Sequence, residues 1–388
     1  MVAAANHNSS LSRDEQNSEA ASGIIRHIYV HIPFCARICP YCAFYKTLLD
    51  RSQTQRFCEA LIGELETHGQ SRRLRPRTIY FGGGTPTALT TAQLEFVLGR
   101  FRNALDLSEL IEWTIEANPG SVSATKAALL RRLGISRISL GVQSWDDDLL
   151  KLLGREHNAK QAAHSFQIFR SAGFSNINVD LMFGLPGQTV RQWKQTLERT
   201  IALKPEHIST YCLTYEEDTE FFVRHARGEF RQDSDADGDF FAMTMSILED
   251  AGYVHYEISN YARPGFRSAH NHAYWSGAEY LGIGPSAFST VGMTRWQNVA
   301  EFRQYSDAVL SKRSPIGSSE RLTKEMKRTE KIALSLRTDT GAAAHLFDAF
   351  PNQTREFVKL GLLRKTKKRF VLTHAGKALA DSVAAEFV

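Results

Sequence analysis

Three cysteines in one short loop constrain this chain more than any other feature. Cys35, Cys39 and Cys42 form a CxxxCxxC run directly after a short apolar segment. Three thiols this close together can face one point only where the backbone makes a tight loop, and Pro33 and Pro40 favour a loop over a helix interior. Thiolates are soft ligands that suit zinc, copper or iron–sulfur clusters. The sequence therefore predicts a thiolate metal site in this loop.

The number of nearby ligands leaves the kind of metal site open. Structural zinc sites close with four ligands, and iron–sulfur clusters normally take four cysteines. Here Phe44 stands where a fourth close cysteine would be, and Cys58 and Cys212 are distant in sequence. A cubane [4Fe–4S] cluster held by three cysteines has one iron open to another molecule. The alternatives are a zinc loop completed by a histidine such as His31, or reduced buried thiols.

Composition places the chain among ordinary globular proteins, with 43% hydrophobic and 23% charged residues in 388. That length allows one large domain with smaller additions. Its apolar runs all fall short of a membrane span. Five cysteines, three of them clustered, do not make a disulfide framework. These properties predict a cytoplasmic protein.

The N-terminal residues and the charge distribution exclude further classes. Residues 1–25 are polar and lack the apolar core of a signal peptide, so we predict a disordered extension. The formal net charge of +5 is mild. Two basic runs, at 72–77 and 364–369, are interpreted as solvated helix ends or hairpin tips. Neither has the interleaved aromatic residues of a single-strand binder, and no nucleic-acid partner is predicted.

From residue 26 the sequence alternates between apolar strands and amphipathic helices. Strands are predicted at Ile28–Phe34, Thr78–Gly83, Trp113–Ala117, Arg137–Gln143, Ile177–Phe183 and His207–Leu213. Helices are predicted at Gln53–Gly69, Ala92–Ala104, Ala124–Leu133, Lys160–Ala172 and Arg191–Leu203. Sustained alternation implies parallel strands joined by right-handed crossovers, in a barrel or an open sheet. Both architectures collect ligands at the carboxyl ends of the strands.

Residues with unusual chemistry follow these strand ends, which argues for one shared site. The first strand leads into the cysteine loop, and the second ends in the glycine run 82–84, where backbone can approach a ligand closely. Glu116 and Gln143 end the next two strands and could accept or donate hydrogen bonds to a ligand. Asp180 lies in an otherwise apolar strand, where an unpaired carboxylate is costly. Arg155 is the candidate partner for a carboxylate.

Beyond residue 220 the regular alternation of strands and helices ends. Phe222–Phe230 is interpreted as a linker, Phe240–Glu249 as a helix and Tyr253–Tyr261 as a strand, within an accessory region of residues 221–320 that also holds an HNxxYW motif. Residues 321–388 read as helix, helix, hairpin and helix, which is typical of a winged helix. The main domain is thereby placed at residues 26–220.

The motifs, taken together and in order, identify a family. YVHIPFC-x3-C-x2-C, GGGTPT, IEANPG, SLGVQS, NVDLMFGLPGQT, EISNYA and HNxxYW resemble the radical S-adenosylmethionine (SAM) superfamily of oxygen-independent coproporphyrinogen III oxidases. The resemblance implies an α/β fold with a partial (β/α)6 TIM-like barrel and a C-terminal winged-helix-like α+β domain. It also implies a [4Fe–4S] cluster on Cys35, Cys39 and Cys42, and SAM as cofactor.

The same resemblance assigns the SAM-binding residues. Contacts to the cluster-bound SAM are implied for Tyr29, Gly83 and Glu116. A second SAM, or another neighbouring ligand, is implied beside a further set of positions: Tyr41, Gly84, Thr85, Gln143, Arg155 and Asp180.

One residue in the cysteine loop distinguishes two subfamilies. The oxidases carry a further cysteine two positions after the third, where this chain has Phe44. Phe44 together with the HNxxYW motif resembles the HemW-type heme chaperones, which bind heme as cargo and pass it to haemoproteins such as membrane-associated respiratory enzymes. His270 and His272 are candidate heme ligands, since imidazole binds heme iron and aromatic rings stack on porphyrins. The alternative is a structural aromatic cluster with a hydrogen-bonded His–Asn pair.

Parts of the sequence suggest two other functions. An oxidase would use the cluster to cleave SAM and would decarboxylate porphyrinogen propionates; Phe44 counts against it. A nucleic-acid-modifying radical enzyme is suggested by the winged helix and its basic turn, but the sequence has no dedicated RNA-binding signature. Whether the chain is an enzyme, whether it forms a homodimer, and which protein receives heme are questions that the sequence leaves open.

Overall fold

The computed structural model describes residues 23–230 and 233–388. The strands are β1 Ile24–Ile32, β2 Phe34–Cys35, β3 Thr47–Leu48, β4 Arg73–Gly83, β5 Glu112–Ala117, β6 Arg137–Gln143, β7 Ile177–Phe183, β8 His207–Cys212, β9 Val254–Glu257, β10 Asn260–Ala262, β11 Leu281–Ile283, β12 Phe288–Val291, β13 Thr294–Asn298, β14 Ile316–Arg321, β15 Ala342–Ala343, β16 Leu363–Lys365 and β17 Arg369–Leu372.

The helices are α1 Thr54–Ser71, α2 Thr91–Ala104, α3 Ala124–Leu133, α4 Asp147–Leu152, α5 Ala159–Ser171, α6 Val190–Ala202, α7 Glu220–Ala226, α8 Ser234–Asp250, α9 Ala269–Trp275, α10 Phe302–Leu310, α11 Lys324–Leu336, α12 Pro351–Lys359, α13 His374–Ala378 and α14 Ala380–Ala385. Short 3-10 turns lie at Pro86–Ala88, Leu107–Glu109 and Ala344–Phe347.

A nine-stranded sheet in the order β11-β1-β4-β5-β6-β7-β8-β10-β9 organises the molecule. The six predicted strands are its six central members, and each is parallel to its neighbours in that group. β11 adds a parallel strand at one edge, and β10 and β9 add antiparallel strands at the other. Among the described residues the two edge strands do not pair with each other, so the barrel is partial, as predicted.

Strand periodicity decides which side chains fill the core. Ile79 and Phe81 of β4 face the helices and are fully buried, whereas Tyr80 between them faces the barrel interior. Three helices on that outer layer begin with capping boxes, which satisfy the first free N–H groups. Their capping pairs are Thr90 with Gln93, Asn158 with Gln161, and Thr189 with Gln192.

Three elements differ from the sequence prediction. The expected linker at 222–230 contains helix α7, which forms because Phe221 is fully buried and Thr219 caps the helix. The single strand expected at Tyr253–Tyr261 is a hairpin of β9 and β10, because the chain turns between them. The α8 helix begins earlier than predicted, at Ser234, where Asp233 caps it.

The end regions follow the expected order. The N-terminal extension predicted for residues 1–25 lies outside the described residues, except that β1 already begins at Ile24. The C-terminal unit has the predicted helices and a three-stranded sheet, β15-β17-β16, around its own apolar core. It joins the barrel through a bridge between Glu257 and Thr338 and through Lys377 Nζ, 3.3 Å from His255 O. None of the described helices is both long and apolar enough to cross a membrane.

Candidate functional site

The cysteine loop leaves the carboxyl end of β1 and is held at both ends. β2 contains Cys35 and pairs in parallel with β3, so the intervening residues are anchored to one another. Cys35 Sγ lies 3.6 Å from the Thr85 hydroxyl, and Cys39 Sγ lies 3.7 Å from Arg155 Nη1. The Cys42 amide donates to Cys39 O at 3.2 Å. All three thiols are partly exposed and unpaired in disulfides, in a loop that supplies neighbouring donors.

The donor set suits a cluster better than a zinc loop completed by His31. The His31 ring lies 3.1 Å from Tyr29 Oη through Nδ1 and 2.9 Å from Tyr45 O through Nε2, so zinc binding by this side chain would break one of these bonds. No three His, Cys, Asp or Glu side chains in the described residues converge as one metal ion requires. A [4Fe–4S] cluster makes a different demand, because each thiolate binds its own iron.

The glycine run at the end of β4 is packed too tightly for any side chain. A Cβ at Gly83, whose φ is +108°, would lie 2.5 Å from the His31 ring, and one at Gly84 would lie 2.6 Å from the Pro33 backbone. A Cβ at Gly82 would lie 2.9 Å from Glu116 Oε1. Glycine is therefore required at Gly83 and Gly84, and at Gly82 a side chain would have to displace Glu116. The glycines let this backbone run directly beside the cysteine loop and Glu116.

Glu116 is a buried acid at the end of β5. Its Oε1 accepts from Tyr80 Oη at 2.7 Å, and its Oε2 accepts from the Gly83 amide at 3.2 Å. Burial raises the pKa of Glu116 to about 7, and nearby Asp180 contributes in the same direction. Tyr29 stacks on Tyr80 with the ring centres 6.2 Å apart, so this side of the pocket is aromatic. A carboxyl group that titrates near neutrality thus faces the glycine run.

Arg155 does not pair with a carboxylate, contrary to the sequence expectation. Its Nη2 donates to Gly141 O at 2.6 Å and to the Asn118 side chain, while Nη1 reaches Cys39 Sγ. Tyr41 lies against the same guanidinium. The guanidinium bonds to carbonyl, amide and thiol acceptors instead of to a carboxylate. Arg155 therefore connects the cysteine loop to the ends of β5 and β6.

Asp180 and Gln143 are the remaining predicted residues at the carboxyl edge of the sheet. Asp180 accepts from Ser139 at 2.9 Å and from Asn178 at 2.7 Å, and burial raises its pKa. The partner that the sequence argument required is thus a pair of neutral donors. Gln143 has φ +69° at a bulge in β6, a strained conformation that clusters at functional sites. With these two, the structure brings the predicted cluster and SAM residues to one edge of the sheet.

The HNxxYW motif lies near the opposite, amino edge. It forms α9, whose first amides are capped by the buried Glu112 carboxylate: Ala269 N at 2.8 Å and His270 N at 3.1 Å. His270 Nδ1 lies 2.8 Å from Thr78 Oγ1, so its bonded partner is Thr78 rather than the expected Asn271. Burial lowers the pKa of His270 to about 3, so this imidazole is neutral.

The second candidate histidine has a different environment. His272 is only partly buried, but its Nδ1 atom is buried and has no hydrogen-bond partner among the described residues. The nearby Tyr274 side chain is 42% exposed, and its ring centre lies 5.2 Å from that of Trp275. His270, by contrast, lines a cavity of about 10 Å³ with Tyr274 and Tyr280. That volume is well below the roughly 300 Å³ at which ligand pockets begin.

Sequence reasoning gave no role to four residues that shape these sites: Tyr80, Glu112, Asn118 and Arg137. The signal for one of them, Glu112, was present, since Glu112, Thr114 and Glu116 alternate along β5 and predict a polar inward face. The links from Asn118 to Arg155 and from Glu112 to α9 join segments far apart in sequence, which periodicity cannot reveal.

Comparison with known proteins gives the family. The Radical SAM superfamily model matches residues 29–200. The chain is 35% identical to the heme chaperone HemW of Bacillus subtilis over 376 residues, covering 94% of this chain and 99% of that protein. The chain belongs to the HemW family. The HemW of Lactococcus lactis is 37% identical over 370 residues, covering 93% and 96% of the two chains.

A mouse protein and a solved structure extend the comparison. Radical S-adenosyl methionine domain-containing protein 1, mitochondrial, of Mus musculus is 32% identical to this HemW family member and covers 92% of it, over 86% of its own length. The coproporphyrinogen III oxidase HemN of Escherichia coli superposes with a TM-score of 0.82 at 23% identity, covering 97% of this chain and 93% of that one. The predicted radical SAM fold is thereby confirmed.

Proposed function

We propose that this HemW family member is a heme chaperone that holds a [4Fe–4S] cluster and SAM and delivers heme to haemoproteins. The observation that carries the proposal is the junction of the cysteine loop with the Gly82–Gly84 and Glu116 cradle at one sheet edge. Phe44 lies on the same loop and is 71% exposed. An exposed phenyl ring at this position, instead of a thiol, argues against the oxidase alternative.

Cys35, Cys39 and Cys42 would hold the cluster, whose remaining iron would be open to SAM. The residues around them are suited to that group: Arg155 and Thr85 donate toward two of the sulfurs, which moderates the charge of thiolate ligands. When bound, a cluster of this kind can supply one electron to SAM. Burial raises the pKa of Cys35 to about 11, so cluster assembly must displace its proton.

SAM would lie against the glycine run and Glu116. The Gly83 amide and the Glu116 carboxylate, 3.2 Å apart, offer a donor and an acceptor to the methionine end of the ligand. Tyr29 is the aromatic neighbour. Gln143, Arg155, Asp180, Tyr41, Gly84 and Thr85 surround the adjoining space, which would accept a second SAM or another ligand.

Heme would bind at the other end of the barrel, on the outer face of α9. There Tyr274 and Trp275 offer aromatic rings, and the partly exposed His272 offers an imidazole. Its Nδ1 is buried, so Nε2 is the nitrogen that would meet the iron. We assign His270 to anchoring the helix, because it is 91% buried and bonded to Thr78. The relatives carry the name heme chaperone, which supports heme as the cargo.

The C-terminal unit is the proposed contact for the acceptor. Residues 322–388 contain 13 Lys and Arg against 7 Asp and Glu, a net charge of +6 that exceeds the +5 of the whole chain. Arg364, Lys365, Lys367 and Lys368 are exposed on the β16–β17 hairpin. Opposite charge on an acceptor surface would steer its approach to this hairpin.

The test is spectroscopic and requires oxygen-free protein. Reconstituted protein should contain about four irons and bind SAM, and heme titration should give a saturable Soret change near one equivalent. The Cys35→Ala/Cys39→Ala/Cys42→Ala variant is the matched control for the cluster. Zinc in place of iron, or no saturable Soret change with the cluster loaded, would refute the proposal. A parallel assay with coproporphyrinogen III, SAM and reductant should show no decarboxylation, and turnover there would favour the oxidase.

A further inference from the structure

The interior of the barrel is polar, in contrast to (β/α)8 barrels, whose interiors are filled by layers of branched apolar side chains. Side chains alternate along each strand, and the apolar alternates pack outward in the main core. The inward positions of four central strands are Glu112, Thr114 and Glu116 on β5, Arg137 and Ser139 on β6, Asn178 and Asp180 on β7, and His207, Ser209 and Tyr211 on β8.

Most of these polar groups bond to one another. Asn178 donates to Ser139 at 2.8 Å and accepts from Ser209 at 3.1 Å. His207 lies 2.7 Å from Asn178 Oδ1 through Nδ1 and 2.7 Å from the Tyr256 hydroxyl through Nε2. The network is therefore self-contained, and such networks hold a fixed arrangement when every member is satisfied.

Two inward side chains are exceptions: Thr114, whose buried hydroxyl has no partner among the described residues, and Arg137. The Arg137 side chain is 1% exposed, yet its guanidinium makes no hydrogen bond or ion pair with any residue in the described ranges, and Nε is a fully buried donor without a partner. The neighbouring acids are Glu116 and Asp180, whose pKa values the Arg137 charge acts to lower. Their oxygens already accept from Tyr80 and Gly83, and from Ser139 and Asn178.

A buried charge without a partner costs several kcal/mol, and buried charges in proteins are therefore normally paired. We propose that Arg137 recognises a carboxylate group of a ligand that enters the barrel interior from the carboxyl edge. The planar guanidinium fork matches a carboxylate in two parallel hydrogen bonds. Glu116 and Asp180 flank the path, and their negative charge disfavours a doubly charged phosphate.

The path to Arg137 is short. Arg137 pairs in register with Thr114, one inward position below the level at which Glu116 pairs with Ser139. Tyr80, Glu116 and Asp180 at that upper level are partly exposed, and Tyr211 on β8 is 40% exposed. A flexible arm ending in a carboxylate would reach the guanidinium by passing between these side chains, whereas a rigid macrocycle would stay outside.

The identity of the ligand rests on the proposed function. A propionate arm of heme and the methionine carboxylate of SAM carry the same chemistry. The first source would require heme at the carboxyl edge instead of on α9, whereas the second keeps SAM at the edge proposed for it. The carboxylate site itself does not depend on either, because a free short-chain carboxylate such as propionate presents the same group to Arg137.

The first experiment uses sodium propionate as the probe and thermal unfolding of the full chain as the readout. We expect the ligand-free Arg137→Met variant to unfold no earlier than the wild type, because it loses an unpaired buried charge. Propionate should raise the unfolding temperature of the wild type but not of the variant. Arg170→Met is the control: Arg170 pairs with Glu206 at 2.8 Å, so this variant should lose stability and keep its response to propionate.

The second experiment distinguishes heme from SAM as the source of the carboxylate. Wild type should bind heme at least about tenfold more tightly than heme dimethyl ester, and Arg137→Gln should abolish that preference if the carboxylate is a propionate. If the carboxylate belongs to SAM, Arg137→Gln should weaken SAM binding by a similar factor and leave the heme preference intact. Arg137→Lys keeps the positive charge, so its ligand binding should be intermediate between that of the wild type and that of Arg137→Gln.

Two results have distinct meanings. An Arg137→Met variant that is less stable than the wild type, with the same response to propionate, heme and SAM, would overturn the carboxylate site and make Arg137 a structural residue. Failure of the wild type to bind either heme or its ester would instead contradict the heme chaperone function. In that event the propionate and SAM measurements still decide on Arg137.

Discussion

The guanidinium of Arg155 lies 3.7 Å from the sulfur of Cys39 and also donates to Gly141 O at 2.6 Å. One side chain thus connects the proposed cluster loop to the strand ends where SAM is proposed to bind. Gly154 makes this approach feasible, because a Cβ there would lie 2.7 Å from Pro40 Cδ in the same loop. Changes at Arg155 should therefore affect the cluster itself as well as ligand binding.

The first prediction concerns the reduction potential of the cluster. Arg155→Gln removes a positive charge and an N–H donor next to a sulfur ligand, so reduction should become harder. A loss of about 1 kcal/mol corresponds to a potential lower by about 40 mV for one electron. A redox titration followed by electron paramagnetic resonance measures the shift. Arg224→Gln, on α7, is the control and should leave the potential unchanged.

The second prediction is a pH dependence caused by Glu116. Burial raises its pKa in the folded chain to about 7 from the ordinary 4.5, so the folded state holds the proton more tightly than the unfolded state. The associated stabilisation is present below about pH 4.5 and is lost as the pH rises through 7. Glu116→Gln removes it.

The measurement is the free energy of unfolding of wild type and Glu116→Gln at several pH values. Between pH 5 and 8 the free energy of unfolding of the variant should rise relative to that of the wild type by about 2–3 kcal/mol. A constant difference across that range would show that Glu116 titrates normally.

The third prediction tests the glycine cradle. Gly83→Ala places a Cβ 2.5 Å from the His31 ring at a φ of +108°, so it should displace His31 and weaken SAM binding at least about tenfold. Gly120→Ala is the matched control, because Gly120 has φ +85° but no atom within 4 Å of the new Cβ. Calorimetric titration with SAM compares them. Equal losses in both variants would attribute the effect to backbone strain alone.

The fourth prediction separates the two histidines of the HNxxYW motif. His272→Ala should abolish the saturable Soret change and leave the free energy of unfolding nearly unchanged, because His272 is partly exposed and its buried Nδ1 makes no hydrogen bond to a described residue. His270→Ala should cost about 1–3 kcal/mol, since it removes a buried group bonded to Thr78. Heme titration and denaturant unfolding of both variants measure these effects. The reverse pattern would make His270 the heme ligand.

Strand-level features of the fold followed from local sequence, and the site contacts did not. The predicted bounds of β6 and β7 agree with the structure because alternating apolar residues mark both strands and Gly184 directly follows β7. The contact between Thr78 and His270 spans 192 positions, and that between Arg155 and Cys39 spans 116. Such pairings depend on how β1, β4 and α9 assemble. Arg137 illustrates the same limit, since only the assembled barrel shows that its guanidinium has no hydrogen-bond or ion-pair partner among the described residues.

The last prediction concerns the acceptor-binding surface. Lys367 and Lys368 lie exposed at the tip of the β16–β17 hairpin, in the unit that carries the surplus positive charge. Lys367→Glu/Lys368→Glu should slow heme transfer to an acidic acceptor haemoprotein about tenfold at low salt, because charge steering acts on the association rate. Heme affinity should be unchanged. Lys312→Glu/Arg313→Glu carries the same charge change on an exposed pair after α10 and should transfer heme at nearly the wild-type rate. Stopped-flow transfer kinetics at low and high salt compare the three proteins, and equal slowing of both variants would place the acceptor contact outside the hairpin.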